Sequence, residues 1–178
     1  HCINRLTLVI GLLMLGTTVF AQDFRVTLDS LEQQLQITTE SDARLKILSD
    51  GLKHSIFNDL DIAYGYVLRF EKEAQKSGVS EEIARSKNFF GMHASMTGDH
   101  YRAIEAYRQA YLSYAELGDS LMIGIMLNNL GSAYEFRAER DSSLAYFSKA
   151  SDVFERIGEE EWVNSTKYNI ALQYKVQD

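Results

Sequence analysis

The chain has 178 residues, 46% of them apolar and 24% charged, with no proline and a formal charge of −7. That length supports one domain with a sizeable core, and the lack of proline disfavours turn-rich sandwiches and barrels. The acidic balance, without a dense Lys/Arg cluster, argues against a nucleic-acid partner, and one cysteine leaves no disulfide framework.

Arg5 opens the first segment, and Leu6 to Phe20 is almost wholly apolar. About 15 apolar residues fall short of the roughly 20 that a membrane span needs. Val19-Phe20-Ala21 then offers acceptable residues to a signal peptidase before polar Gln22-Asp23. Residues 1–21 are therefore expected to be a cleaved secretory signal, and the mature chain to be exported, in a periplasmic or extracytoplasmic space. Cys2 precedes the apolar run and so cannot carry a lipoprotein anchor. Membrane contact is expected only through the signal or through a span beyond residue 178. The start at His1 and the stop at Asp178, inside a helical pattern, are those expected of a fragment.

Residues 22–41 are expected to form a capping helix and linker, with Leu28, Leu31 and Leu35 on one side. A terminal helix of this kind covers the apolar face that a repeat stack would otherwise leave open. From Ser41 onward good helix formers are frequent. Leu45, Leu48, Leu52 and Ile56 make one apolar face, and Ile62, Ala63, Tyr66, Val67 and Phe70 make the facing one.

A forty-residue period then emerges. Gly78, Gly118 and Gly158 share it, as do Gly51, Gly91, Gly131 and Ala171, and Ala63, Ala103 and Ser143. Ala103, Tyr107, Ala110, Tyr114 and Leu117 are spaced to share one helical face, and Ser143, Phe147, Ala150, Phe154 and Ile157 repeat the spacing. The three periodic glycines follow these runs, where a helix end needs a left-handed backbone. New helices are expected behind Ser80, Ser120 and Glu159, with Asp141 as the N-cap of the helix carrying Leu144 and Phe147. The units run about 42–79, 80–119 and 120–159, with 160–178 incomplete.

These residues resemble tetratricopeptide repeats. In that family the first helix of a hairpin carries a Leu-Gly pair and an aromatic three residues on, and the second carries small, aromatic and small residues in turn. Leu130-Gly131 with Tyr134, then Ser143, Phe147 and Ala150, supply the pattern; Phe90-Gly91 with Ala94, then Ala103, Tyr107 and Ala110, supply it again. The last unit begins Asn169-Ile170-Ala171 with Tyr174. The resemblance covers residues 42–178 and departs from the family in its forty-residue period and missing proline. It implies an all-α fold, a right-handed superhelix of antiparallel helical hairpins. It also implies a concave ligand face lined by the first helix of each hairpin, here Asn88, Met92, Ser95, Asn128, Ser132, Glu135, Tyr168, Leu172 and Lys175, with Asn129 and Asn169 adjoining. The clamp for acidic C-terminal tails known in the family has Lys and Asn where this chain has other residues, and is not expected.

Catalytic and metal-binding patterns are not found. His54, His93 and His100 lack paired ligand spacing. Asp59 and Asp61 lack the rest of a calcium loop and read as a helix start. Glu81 and Glu82 are adjacent rather than opposed, which does not suit general acid–base work. No cofactor is implied.

The expected function is a non-catalytic scaffold for a protein or peptide ligand. An exported front with Asp29-Ser30-Leu31, Thr38-Thr39 and Arg44-Leu45 ahead of long repeats also resembles the extracytoplasmic sensor region of bacterial signal-transduction proteins. The alternatives are an architectural self-association module, or the regulatory front of a membrane histidine kinase or nucleotide cyclase whose catalytic domain lies outside this chain.

Overall fold

The computed structural model describes residues 23–175, so the expected signal over residues 1–21 lies outside the described residues. Helix α1 covers 23–37. It is followed by α2 (Ser41–Ser55), α3 (Leu60–Ser77), α4 (Ser80–Met96), α5 (His100–Leu117), α6 (Ser120–Phe136), α7 (Arg140–Ile157) and α8 (Glu160–Lys175). Among the described residues every regular element is a helix. From α2 to α8 each helix packs on its neighbours in sequence, α3 to α7 on both the helix before and the helix after, which is the connectivity of a stack of hairpins.

The sequence explains both helix faces and helix ends. Leu45, Leu48, Leu52 and Ile56 of α2 are all buried, as are Ala63, Tyr66, Val67 and Phe70 of α3. Burying each such aliphatic side chain contributes roughly 1.5–3 kcal/mol, so this stripe drives the first hairpin together. Leu28 and Leu35 of α1 join the same core. An ion pair of Arg69 with Glu32 at 2.6 Å and the hydrogen bonds of Arg44 to the Leu35 and Thr38 carbonyls tie α1 and its exit turn to the hairpin.

The turns recur at half the sequence period. Gly78, Gly98, Gly118 and Gly158 all have positive φ, and Ala138 occupies the remaining position of this twenty-residue series at φ 56°. The peptide N–H after each of the last four reaches back to close the helix, from Asp99 to Ala94, Asp119 to Tyr114, Glu139 to Tyr134 and Glu159 to Phe154. Caps follow directly. Asp59 accepts from the Asp61 and Ile62 N–H groups, Asp99 from Arg102 and Asp119 from Met122.

Four local expectations need correction. Asp141 is not an N-cap: the chain leaves α6 through the left-handed Ala138, α7 opens at Arg140, and Asp141 falls in its first turn behind Glu139. Ser80 and Ser120 are the first residues of α4 and α6, with Val79 and Asp119 in the capping positions. Leu117 and Ile157 are 44% and 38% exposed, because each is the last residue of its helix and no further turn covers it. Ile62, in the open first turn of α3, is likewise exposed.

The small-residue columns set how closely the helices of a hairpin approach. A Cβ placed on Gly131 would lie 2.6 Å from the Phe147 ring, one on Gly91 2.7 Å from Tyr107, and one on Gly124 2.5 Å from Phe154. Each glycine is thus a socket for an aromatic ring of the next helix. Ala110 and Ala150 are fully buried. The 17-residue α4 and 18-residue α5, with the turns 97–99 and 118–119, fill the forty-residue unit.

Candidate peptide-binding wall

The expected ligand residues fall on α4, α6 and α8 in columns forty residues apart: Asn88, Asn128 and Tyr168; Met92, Ser132 and Leu172. On α4 they are largely packed. Asn88 is only 8% exposed, and its Oδ1 has no hydrogen-bond partner. Met92 rests half-buried against the core of the first hairpin, and Ser95 is half-buried beside Tyr107. Burial pushes the Tyr107 hydroxyl well above the ordinary tyrosine range despite the nearby Ser95 hydroxyl, so it stays neutral.

Farther along the wall opens. Asn129 and Ser132 are half-buried and Glu135 is exposed. The Asn169 amide Nδ2 donates to Asn128 Oδ1 at 3.3 Å, so α6 and α8 meet through their amides. Tyr168 is 65% exposed and Leu172 is also open to solvent. The pattern is an amide ridge between two exposed apolar side chains and one carboxylate. It suits hydrogen bonding to peptide groups and contact with an apolar side chain.

The histidines make structural contacts. His54 Nε2 lies 3.3 Å from the Phe24 carbonyl and its ring stacks on Phe24, holding α1 to α2. His93 Nε2 lies 3.0 Å from the Leu60 carbonyl, and its ring stacks on Tyr64. His100 stacks on Phe136 at 5.0 Å between centroids, with its Nδ1 buried and unpartnered. No group of three or more His, Cys, Asp or Glu spaced to hold a metal ion occurs among the described residues.

Sequence reasoning missed a polar network on α5 to α7. Arg108 Nη2 donates to the Tyr134 hydroxyl at 2.5 Å, and Tyr134 and Tyr146 stack at 5.3 Å with a 6° interplanar angle. Tyr111 and Tyr146 interrupt the column pattern, since Glu71 and Ala106 stand forty residues before them. That irregularity was the available signal.

Residues 82–165, which take in nearly all of α4 to α7, match the tetratricopeptide repeat family. These hairpins are tetratricopeptide repeats. Two solved structures place the repeats in context. Aspartyl phosphate phosphatase F from Bacillus subtilis superimposes with a TM-score of 0.77 at 14% identity, covering 86% of this chain and 44% of that one. BtubC (BKLC) from P. vanneervenii does so with a TM-score of 0.64 at 16% identity, covering 86% and 74%. At these identities the likeness is one of fold, and this chain spans less than half the length of the first. The comparison with curated protein sequences finds no match. Tetratricopeptide repeats are typically non-catalytic scaffolds for protein–protein contact, and this chain has that fold.

Proposed function

We propose that this protein binds an extended or helical peptide along α4, α6 and α8, and serves as the extracytoplasmic sensor module of a bacterial signalling protein. The observation that carries the binding reading is the pairing of Asn128 with Asn169 beside the exposed Tyr168 and Leu172. Peptide groups need donors and acceptors already held in place, and the amides supply both. The neighbouring apolar side chains supply area to bury. The long apolar N-terminal run supports export, and Asn88 Oδ1, buried without a partner, is a further acceptor along the same column. The test is to select peptides against the protein from a random displayed library, then measure their affinity for an Asn128→Ala, Tyr168→Ala variant. At least a tenfold loss with unchanged thermal melting is expected; unchanged affinity would move the site to another face. Fractionation of the natural host places the protein, and recovery in the cytoplasm would remove the sensor reading.

A second reading, self-association, is favoured by the exposure of Tyr168, Leu172 and Tyr174 on the terminal helix α8. Light scattering at two concentrations separates it from the first, since a monomer at both would exclude it.

A further inference from the structure

Helix α6 presents a second face, turned away from the proposed wall. At 100° per residue, Leu127 and Leu130 point roughly 140° away from Asn128, Ser132 and Glu135. They form the floor of a cavity of about 270 Å³, walled by Arg108, Tyr111 and Leu112 of α5 and by Tyr146 and Lys149 of α7. The floor is apolar and the rim is cationic. Arg108 is held by the Tyr134 hydroxyl, and Tyr134 is held in turn by stacking on Tyr146. Lys149 Nζ lies 5.4 Å from the centre of the Tyr146 ring. Neither Arg108 nor Lys149 makes an ion pair among the described residues, although the chain has 25 acidic side chains against 18 basic ones. Nor is the arrangement a by-product of the repeat: forty residues earlier, Lys87 stands for Leu127, Ala106 for Tyr146 and Gln109 for Lys149.

We propose that this cavity is a docking site for an acidic, apolar peptide segment, separate from the wall on α4, α6 and α8. One large aliphatic or aromatic side chain fills the space over Leu127 and Leu130. A carboxylate next to it in the peptide meets Arg108 and Lys149. Charge complementarity selects the acid, because two cations with no carboxylate partner among the described residues gain ion pairs from an incoming anion. The Tyr134 contact orients the guanidinium beforehand, so less side-chain freedom is lost on binding.

The probe is acetyl-Glu-Phe-Leu-Glu-amide, titrated into the isotopically labelled protein at low salt and followed by nuclear magnetic resonance. The control is the same peptide with both Glu replaced by Gln. Resonances of Leu127, Leu130 and Tyr146 are expected to shift, with the acidic peptide binding at least tenfold more tightly than its Gln analogue. Arg108→Gln with Lys149→Gln should abolish that preference. Lys149→Glu, a change at an exposed position, should reverse or cancel it without depending on the Arg108–Tyr134 contact. Equal binding of the two peptides, or shifts confined to Asn128 and Tyr168, would overturn the proposal. Tighter saturation of the same resonances by decanoate would also overturn it, in favour of a lipid. The Asn128→Ala, Tyr168→Ala variant should bind the acidic probe normally, which keeps this test apart from that of the wall.

Discussion

Ala138 is the one described non-glycine residue with positive φ, and it stands where every other turn of the twenty-residue series has glycine. A left-handed backbone costs an L-residue roughly 1–2 kcal/mol, and the greater freedom of glycine in the unfolded chain offsets about half of that. Ala138→Gly is therefore expected to stabilise the protein by about 0.5–1 kcal/mol, measured by urea denaturation; no gain would mean the turn is already relaxed. Glu73 supplies a pH prediction. Burial alone would raise its carboxyl, but hydrogen bonds from Ser41, Arg44 and Lys76 outweigh that and hold it below the ordinary glutamate value of 4.5. A depressed folded value adds stability that is fully present above pH 4.5 and lost as pH falls through the folded value. Glu73→Gln should thus melt earlier than the unaltered protein at neutral pH, and the gap should narrow in acid. Gly78, Gly118 and Gly158 were legible as turns because glycine advertises a left-handed backbone. Ala138 was not, because alanine carries no such mark.

At the scale of the element, the 4-3-4 spacing of Ala103, Tyr107, Ala110 and Tyr114 read correctly as a buried face, since burial follows helical periodicity wherever the helix continues on both sides. It failed at Leu117 and Ile157, where the helix stops. Asp141 was misplaced for a related reason: aspartate suits an N-cap by type, but the backbone at Ala138 decides where α7 begins. Asp119 accepts from the Met122 N–H, whereas Asp141 makes no capping bond of its own. Asp119→Ala is expected to cost about 0.5–2 kcal/mol, and Asp141→Ala much less. Chemical denaturation of the two variants checks this, and equal losses would restore Asp141 as a cap. The Arg108–Tyr134–Tyr146 network was not legible, because it depends on side chains from three helices meeting in one place.

For the whole molecule, the repeat period predicted an all-helical stack, and the fold bears this out through the aromatic rings seated on Gly91, Gly124 and Gly131. The columns across α4, α6 and α8 follow from the sequence period, and α6 meets α8 through Asn128 and Asn169. How deeply each wall residue is packed was not legible. Asn88 is nearly closed off while Tyr168 is open, since depth depends on which neighbouring helix covers each turn. The ligand wall is the central claim, and photo-crosslinking tests it most directly. A benzophenone amino acid would be placed at Ser132 on α6 and, as a control, at Ser148 on the exposed side of α7. The tightest peptide from the displayed library would then be added and the adducts mapped by mass spectrometry. A covalent adduct from Ser132 and none from Ser148 is the expected result. Crosslinking from Ser148 with none from Ser132 would contradict the wall.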